Sequence, residues 1–189
     1  AADIAAHDPG IEVALRRAAA LGRTTSPIRV SGGGEIRVGT ASWTDPTMTA
    51  AGVFYPPAAN NAEERLRYYT SQFPVVEIDA SYYAIPAAET ARLWVDRTPD
   101  SFRFDIKAHA LMTGQPSEVK RLPKAIREEL PEEEAAKTRI YGKDLPAELY
   151  DEVGASFGRA IEPLRVAGKG GAGVPPSPHR VFATQGAGE

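Results

Sequence analysis

Three short runs, each apolar at alternate positions, set what this chain can fold into. They are Ile36-Arg37-Val38-Gly39-Thr40-Ala41, Val75-Val76-Glu77-Ile78-Asp79 and Phe102-Arg103-Phe104-Asp105-Ile106-Lys107. Alternation with period two is the pattern of β-strands, and strands are expected at about 36–41, 75–79 and 102–107. The stretches between them have helical spacing instead. Leu66, Tyr69 and Phe73 share a face in a helix capped by Asn60 or Asn61, with Glu63 or Glu64 three residues on, and stopped by Pro74. A second helix, about 87–96, is expected to turn Leu93 and Trp94 toward the sheet, with Thr90 or Ala91. Strands alternating with helices predict a parallel sheet.

Parity then separates two parallel architectures. Phe102, Phe104 and Ile106 share one strand face, opposite Arg103, Asp105 and Lys107; Val76 and Ile78 oppose Val75, Glu77 and Asp79; Ile36 and Val38 oppose Arg37, Gly39 and Ala41. A doubly wound sheet buries both faces and reads as continuous apolar strands. A barrel packs one face on helices and gathers polar residues inside. The parity therefore predicts a (β/α) barrel with Ile36 and Val38 facing helices and Gly39 leaving room for inward charges. Those charges, Arg37, Arg103 and Lys107 against Glu77, Asp79 and Asp105, balance. They read either as a buried ion-pair network or, for Asp79 and Lys107 nearest the strand ends, as part of a site.

The rest of the chain sorts around this unit. Residues 1–34 read as an N-terminal extension, with a helix over Pro9 to Ala20 and a flexible linker at Ser31-Gly32-Gly33-Gly34. Ala1 to Leu21 is too interrupted by charge to be a signal-peptide core. Residues 35–169 form the main domain. Within it, His109 to Leu145 reads as an insertion with one or two short helices. Pro146 opens a helix to about Ala167 with Leu149, Val153, Phe157 and Ile161 on one side, and Pro163 should kink it or begin a last turn. The tail, 170–189, is rich in glycine and proline and reads as aberrant and disordered. The net charge of −3 carries no basic field, which disfavours nucleic acid as a partner. The absence of cysteine excludes disulfide and thiolate chemistry and favours the cytoplasm. No apolar run is long enough for a membrane span.

Several segments carry a family resemblance: Ile36 to Trp43, Phe54-Tyr55-Pro56-Pro57, Phe73 to Pro86, Trp94 followed by Arg97-Thr98-Pro99, and Phe102 to Ala108. In that order and spacing they resemble the YecE-like proteins, domain of unknown function 72, over about residues 36–169. The resemblance implies a TIM-type barrel of roughly 250 residues and no established activity. It also implies a fault. After a helix like the one ending at Lys169, family members continue into a hydrophobic strand, whereas this chain reads Gly170-Gly171-Ala172-Gly173-Val174-Pro175. A frameshift, gene-model error or truncation near residue 169 is the expectation, leaving about the first three β/α units and unpaired edges on the first and third strands.

Candidate chemistry is placed at the strand carboxyl ends. Glu77, Asp79 and Lys107 are the catalytic candidates: Glu77 with Lys107 reads as a general acid–base pair or as a structural salt bridge. Trp43, Asp45, Tyr82, Tyr83 and His109 are the ligand-binding candidates. The tyrosines and Trp43, with Tyr55, read as a stacking surface for a sugar ring or base, or as a hydrophobic lid. Asp45, Glu77, Asp79 and His109 are the residue types of a divalent-metal site but lack a ligand-spacing motif, so metal and cofactor stay open. The glycine runs at 32–34 and 168–173 lack the strand–helix context of a phosphate loop, and no Gly-x-Ser-x-Gly nucleophile motif occurs. The expected functions are an enzyme acting on a small polar or sugar-like molecule, a non-catalytic protein binding a small ligand or single-stranded nucleic acid, or a truncated product without function. Oligomeric state is not legible.

Overall fold

The structure is a computed structural model and describes residues 27–171. The helix expected over Pro9 to Ala20 and the tail from residue 172 lie outside the described residues. The centre is a parallel sheet of β3 (Gly39–Ala41), β4 (Val75–Ile78) and β5 (Arg103–Ile106), in that order. The register sets Ala41 beside Glu77, Glu77 beside Asp105, and Ile78 beside Ile106. Before it stand β1 (Ile28–Arg29) and β2 (Glu35–Ile36), an antiparallel pair.

This pair revises two expectations. Ser31 to Gly34 is the turn of a hairpin rather than a linker: Val30 N–H donates to Gly34 O at 3.0 Å, and Gly32 and Gly33 take φ of 103° and 88°. Only glycine adopts such angles without strain. The strand expected at 36–41 is broken, because Ile36 pairs back on Ile28 while Gly39 pairs forward on Val75. Ile36 and Val38 are consequently 51% and 59% exposed and do not pack on helices.

The parity of β4 and β5 holds. Val76, Ile78, Phe102, Phe104 and Ile106 are buried in one cluster. Helix α1 (Pro46–Thr49) follows β3, and α2 (Ala62–Gln72) precedes β4. Asn61 Oδ1 accepts from Glu64 N–H at 3.0 Å and Glu64 reaches back to the Asn60 N–H at 3.3 Å, so the α2 start is doubly satisfied. Tyr69 of α2 inserts its hydroxyl between the strands: it accepts from Thr40 N–H at 2.8 Å and lies 3.2 Å from Val75 O. Phe54 and Phe73 stack around it.

After β4 come α3 (Ala80–Tyr83) and α4 (Ala88–Asp96). Ala91 is buried and Trp94 stacks on Phe104 at 5.9 Å, whereas Leu93, expected to face the sheet, is exposed. The excursion after β5 holds short helices α5 (Lys124–Glu128) and α6 (Glu132–Ala135) and a two-stranded ribbon, β6 (Ser117–Glu118) with β7 (Arg139–Ile140). Helix α7 (Ala147–Val166) buries Leu149, Val153, Phe157, Ile161 and Leu164 and packs on α4. It runs through Pro163 without a separate last turn.

The chain then returns to the sheet. Phe104 N–H donates to Lys169 O at 2.9 Å and Gly171 N–H to Phe104 O at 2.8 Å, a parallel bridge of Gly170 on the outer edge of β5. The edge of the third strand, expected to be unpaired, is met by the very residues expected to hold no strand. Lys169 secures the approach. Its buried ammonium donates to Val95 O at 2.7 Å and to Thr98 O at 2.6 Å, filling the carboxyl end of α4.

Candidate functional site

Parallel strands end together, so the residues just past β3, β4 and β5 are brought to one rim. Ser81 joins two of these ends. Its buried hydroxyl lies 2.7 Å from Ile78 O and 2.6 Å from Lys107 O and donates its single proton to either. Sequence reasoning passed Ser81 over, although a small hydroxyl one turn past a strand is the residue such a junction needs. Lys107, anchored by its N–H on Ile78 O at 3.2 Å, holds its ammonium 5.2 Å from the centre of the Tyr82 ring. At such a distance a cation is attracted to the ring face.

The register sets Glu77 level with Asp105; Asp79, one residue past the paired strand, stands at the head of α3 and is half-buried. The salt bridge expected between Glu77 and Lys107 does not form. Glu77 and Lys107 are exposed, and neither they nor Asp79 enters an ion pair among the described residues. The cations turn elsewhere: Arg37 pairs with Glu35 at 2.9 Å, and Arg103 donates to Asp100 O at 2.7 Å. The physical reason is that Glu77 and Lys107 lie open to water, which solvates their charges, so the two require no mutual pairing. Nor does Gly39 make room for those charges; the carbonyl of Val75 occupies the space its side chain would take.

The residues after β3 serve packing and capping. Ser42 takes φ of 68°, a left-handed conformation uncommon for a residue with a side chain. Beyond it Trp43 sits edge-on to Trp94 at 5.7 Å, on the helix side of the sheet, with its carbonyl accepting from the Tyr55 hydroxyl. Burial pushes the Tyr55 phenol well above its ordinary value, so it stays a donor. Asp45 caps α1: its carboxylate accepts from the Thr47 hydroxyl and from the Thr47 N–H at 2.8 Å, which together hold its pKa below the usual carboxylate value.

His109 is fully buried beneath the rim. Its Nε2 is 3.5 Å from Ser117 Oγ, and Nδ1 has no partner in the described structure. Burial pushes its pKa down from 6.5 to about 4, so the folded protein holds it neutral while the unfolded chain takes up a proton from about pH 6.5 downward. Stability from this source is complete above the unfolded value and is lost as pH falls toward 4. We expect a loss of about 2 kcal/mol between pH 7 and pH 4.5. Urea midpoints measured across that window should fall in the natural chain and fall less in His109→Leu. Because His7 and His179 remain in both proteins, the difference belongs to His109. Among the described residues no three acidic or histidine side chains gather as a metal would require, so Asp45, Glu77, Asp79 and His109 do not converge.

Tyr83, next to Tyr82 with ring centres 5.1 Å apart, is half exposed and carries the Arg121 guanidinium 5.8 Å from its ring centre. The two tyrosines border a cleft of about 470 Å³ whose other wall comes from the excursion, including Ser117, Glu118, Arg121 and Arg139. No helix of the described residues is long and apolar enough to cross a membrane.

Fold and rim together define an α/β protein that presents polar and aromatic side chains at the carboxyl ends of a parallel sheet. The family model described as "Protein of unknown function DUF72" matches residues 37–174, and the chain belongs to that family. UPF0759 protein YunF of Bacillus subtilis (strain 168) is 40% identical over 79 residues, which are 42% of this chain. The matched stretch spans 26% of that relative's length. Two crystal structures of a DUF72 family protein from Enterococcus faecalis V583 are similar with 22% identity and a TM-score of 0.42, covering 71% of this chain and 36% of theirs.

Proposed function

We propose that the parallel sheet is an arc of a TIM-type (β/α) barrel and that its carboxyl rim binds a small polar or sugar-like molecule. Three observations support the barrel. The strands follow chain order, β3-β4-β5 with Gly170 next; all are parallel; and the described helices cover one face. A doubly wound sheet reverses its order and takes helices on both faces. An eight-stranded barrel needs more strands than the described residues supply.

The observation that carries the binding site is the Lys107–Tyr82 pair, a cation held against a ring face just past the end of β5, with Asp79 just past the end of β4. A sugar stacks on such a ring while its hydroxyls take up the charged groups. Glu77 and Lys107, both in water, are available to move protons on the bound molecule. A cytoplasmic location belongs to the same proposal and rests on the cysteine-free sequence.

Thermal-shift measurement against a panel of sugars and sugar acids tests this. A ligand that binds only the folded protein raises the midpoint with concentration. We expect the rise for at least one compound and its loss in Lys107→Ala and in Tyr82→Ala. Stabilisation that survives both substitutions overturns the assignment. The paired cation and ring also suit single-stranded nucleic acid; salt-sensitive binding of an oligonucleotide in place of any sugar selects that reading.

A further inference from the structure

The cleft on the other side of α3 has a chemistry of its own. Its wall is the β6–β7 ribbon, in which Glu118 and Arg139 are cross-strand neighbours. The Glu118 carboxylate is the hub: Lys120 lies at 3.1 Å and Arg121 at 3.3 Å from Oε2, and Arg139 at 3.9 Å from Oε1. Three cations share one carboxylate, so two positive charges at this rim are uncompensated within the cluster. The whole chain carries −3, and a local reversal of sign in an acidic protein concentrates anions where it occurs. Arg121 is also held against the Tyr83 ring, which restricts its freedom and keeps the fork of donors presented. Tyr83 offers a flat surface beside it, and Ser117, backed by buried His109, supplies a hydroxyl at the floor. The space, about 470 Å³, is of the size that holds a small metabolite.

We propose that this cleft binds a small phosphorylated molecule, with the phosphate between Arg121 and Arg139 and its flat portion against Tyr83. Guanidinium groups match phosphate oxygens in pairs, which a lone lysine does not. Glu118 orders both arginines and competes with the incoming anion. The cleft shares Tyr82 as a border with the Lys107–Tyr82 pair, but its existence does not depend on what binds to that pair.

Calorimetric titration of the full chain with ribose 5-phosphate, ribose and inorganic phosphate tests the proposal. Ribose 5-phosphate should bind saturably, inorganic phosphate more weakly, and ribose weaker still. Arg121→Gln and Arg139→Gln should each weaken ribose 5-phosphate about tenfold. Glu118→Gln should tighten it, an outcome that loss of folding cannot imitate. Lys107→Ala, beside the bordering Tyr82, should weaken it far less than either arginine substitution. Equal binding of ribose and ribose 5-phosphate, no saturable binding of either, or an affinity indifferent to the two arginines and to Glu118 overturns the proposal.

Discussion

Gly39→Ala is expected to destabilise the fold by about 3 kcal/mol or more, which is large for the addition of one methyl group. A Cβ built on Gly39 lies 2.0 Å from the carbonyl oxygen of Val75 and 2.8 Å from its carbon. The third near atom, Val75 Cγ1 at 3.0 Å, can rotate away, but the carbonyl belongs to the backbone of β4. Relief therefore requires β3 and β4 to part where their pairing begins, since Gly39 stands opposite Val75 in the register. The sites of neighbouring glycines make the contrast. Alanine at Gly52 meets no atom within 4 Å and suffers only the strain of φ 76°, so Gly52→Ala should cost about 1 kcal/mol. Urea denaturation of the two variants beside the natural chain checks the ranking. Equal midpoints would show that the strands are not held at this spacing.

Lys169→Met should cost about 2–4 kcal/mol. The ammonium is 3% exposed and donates to two carbonyls that end α4, with the Thr98 hydroxyl at 3.2 Å as a further partner. Methionine fills similar space but removes the donor from Thr98 O and leaves Val95 O only its longer contacts from Thr98, and the lost donor sets the cost. Burial pushes the lysine pKa down, opposed by Asp100 and Asp96. Lysine remains the better residue because its donors are fully used by the helix end. Lys169→Arg is expected to recover little, since a planar fork does not fit a point surrounded by carbonyls. Unfolding midpoints give the magnitude, and faster amide exchange in α4 would show that its carboxyl end has loosened.

Much of this architecture can be read from residue order. The period-two pattern in Phe102, Phe104 and Ile106 announces the buried face of β5, and Asn61 with Glu64 announces the start of α2, because both depend on neighbours in sequence. What could not be read depends on partners distant in the chain. Alternation shows that Glu77 and Lys107 share a side, but it is silent on whether anything covers them; both lie open to water, and the salt bridge between them is not made. Ile36 and Val38 have the letters of a strand, yet Ile28 captures the first of them in a hairpin. His109 reads as a loop or helix-cap residue and does cap the turn at Ala110–Thr113, but its full burial there has no signal in the sequence. Gly170 has no side chain to announce a strand, and its pairing rests on Phe104 and on the anchorage of Lys169.

The order β3, β4, β5, then Gly170 has a consequence for how the chain acquires its shape. Each strand leaving the ribosome finds its partner already made and joins an outer edge. No strand has to enter between two that are already bonded. Tyr69 reinforces this sequence of events, since the helix bearing it is synthesised just before β4 and its hydroxyl bridges β3 to the first residue of the arriving strand. Pairing of the first two strands is thereby tied to the docking of the helix between them.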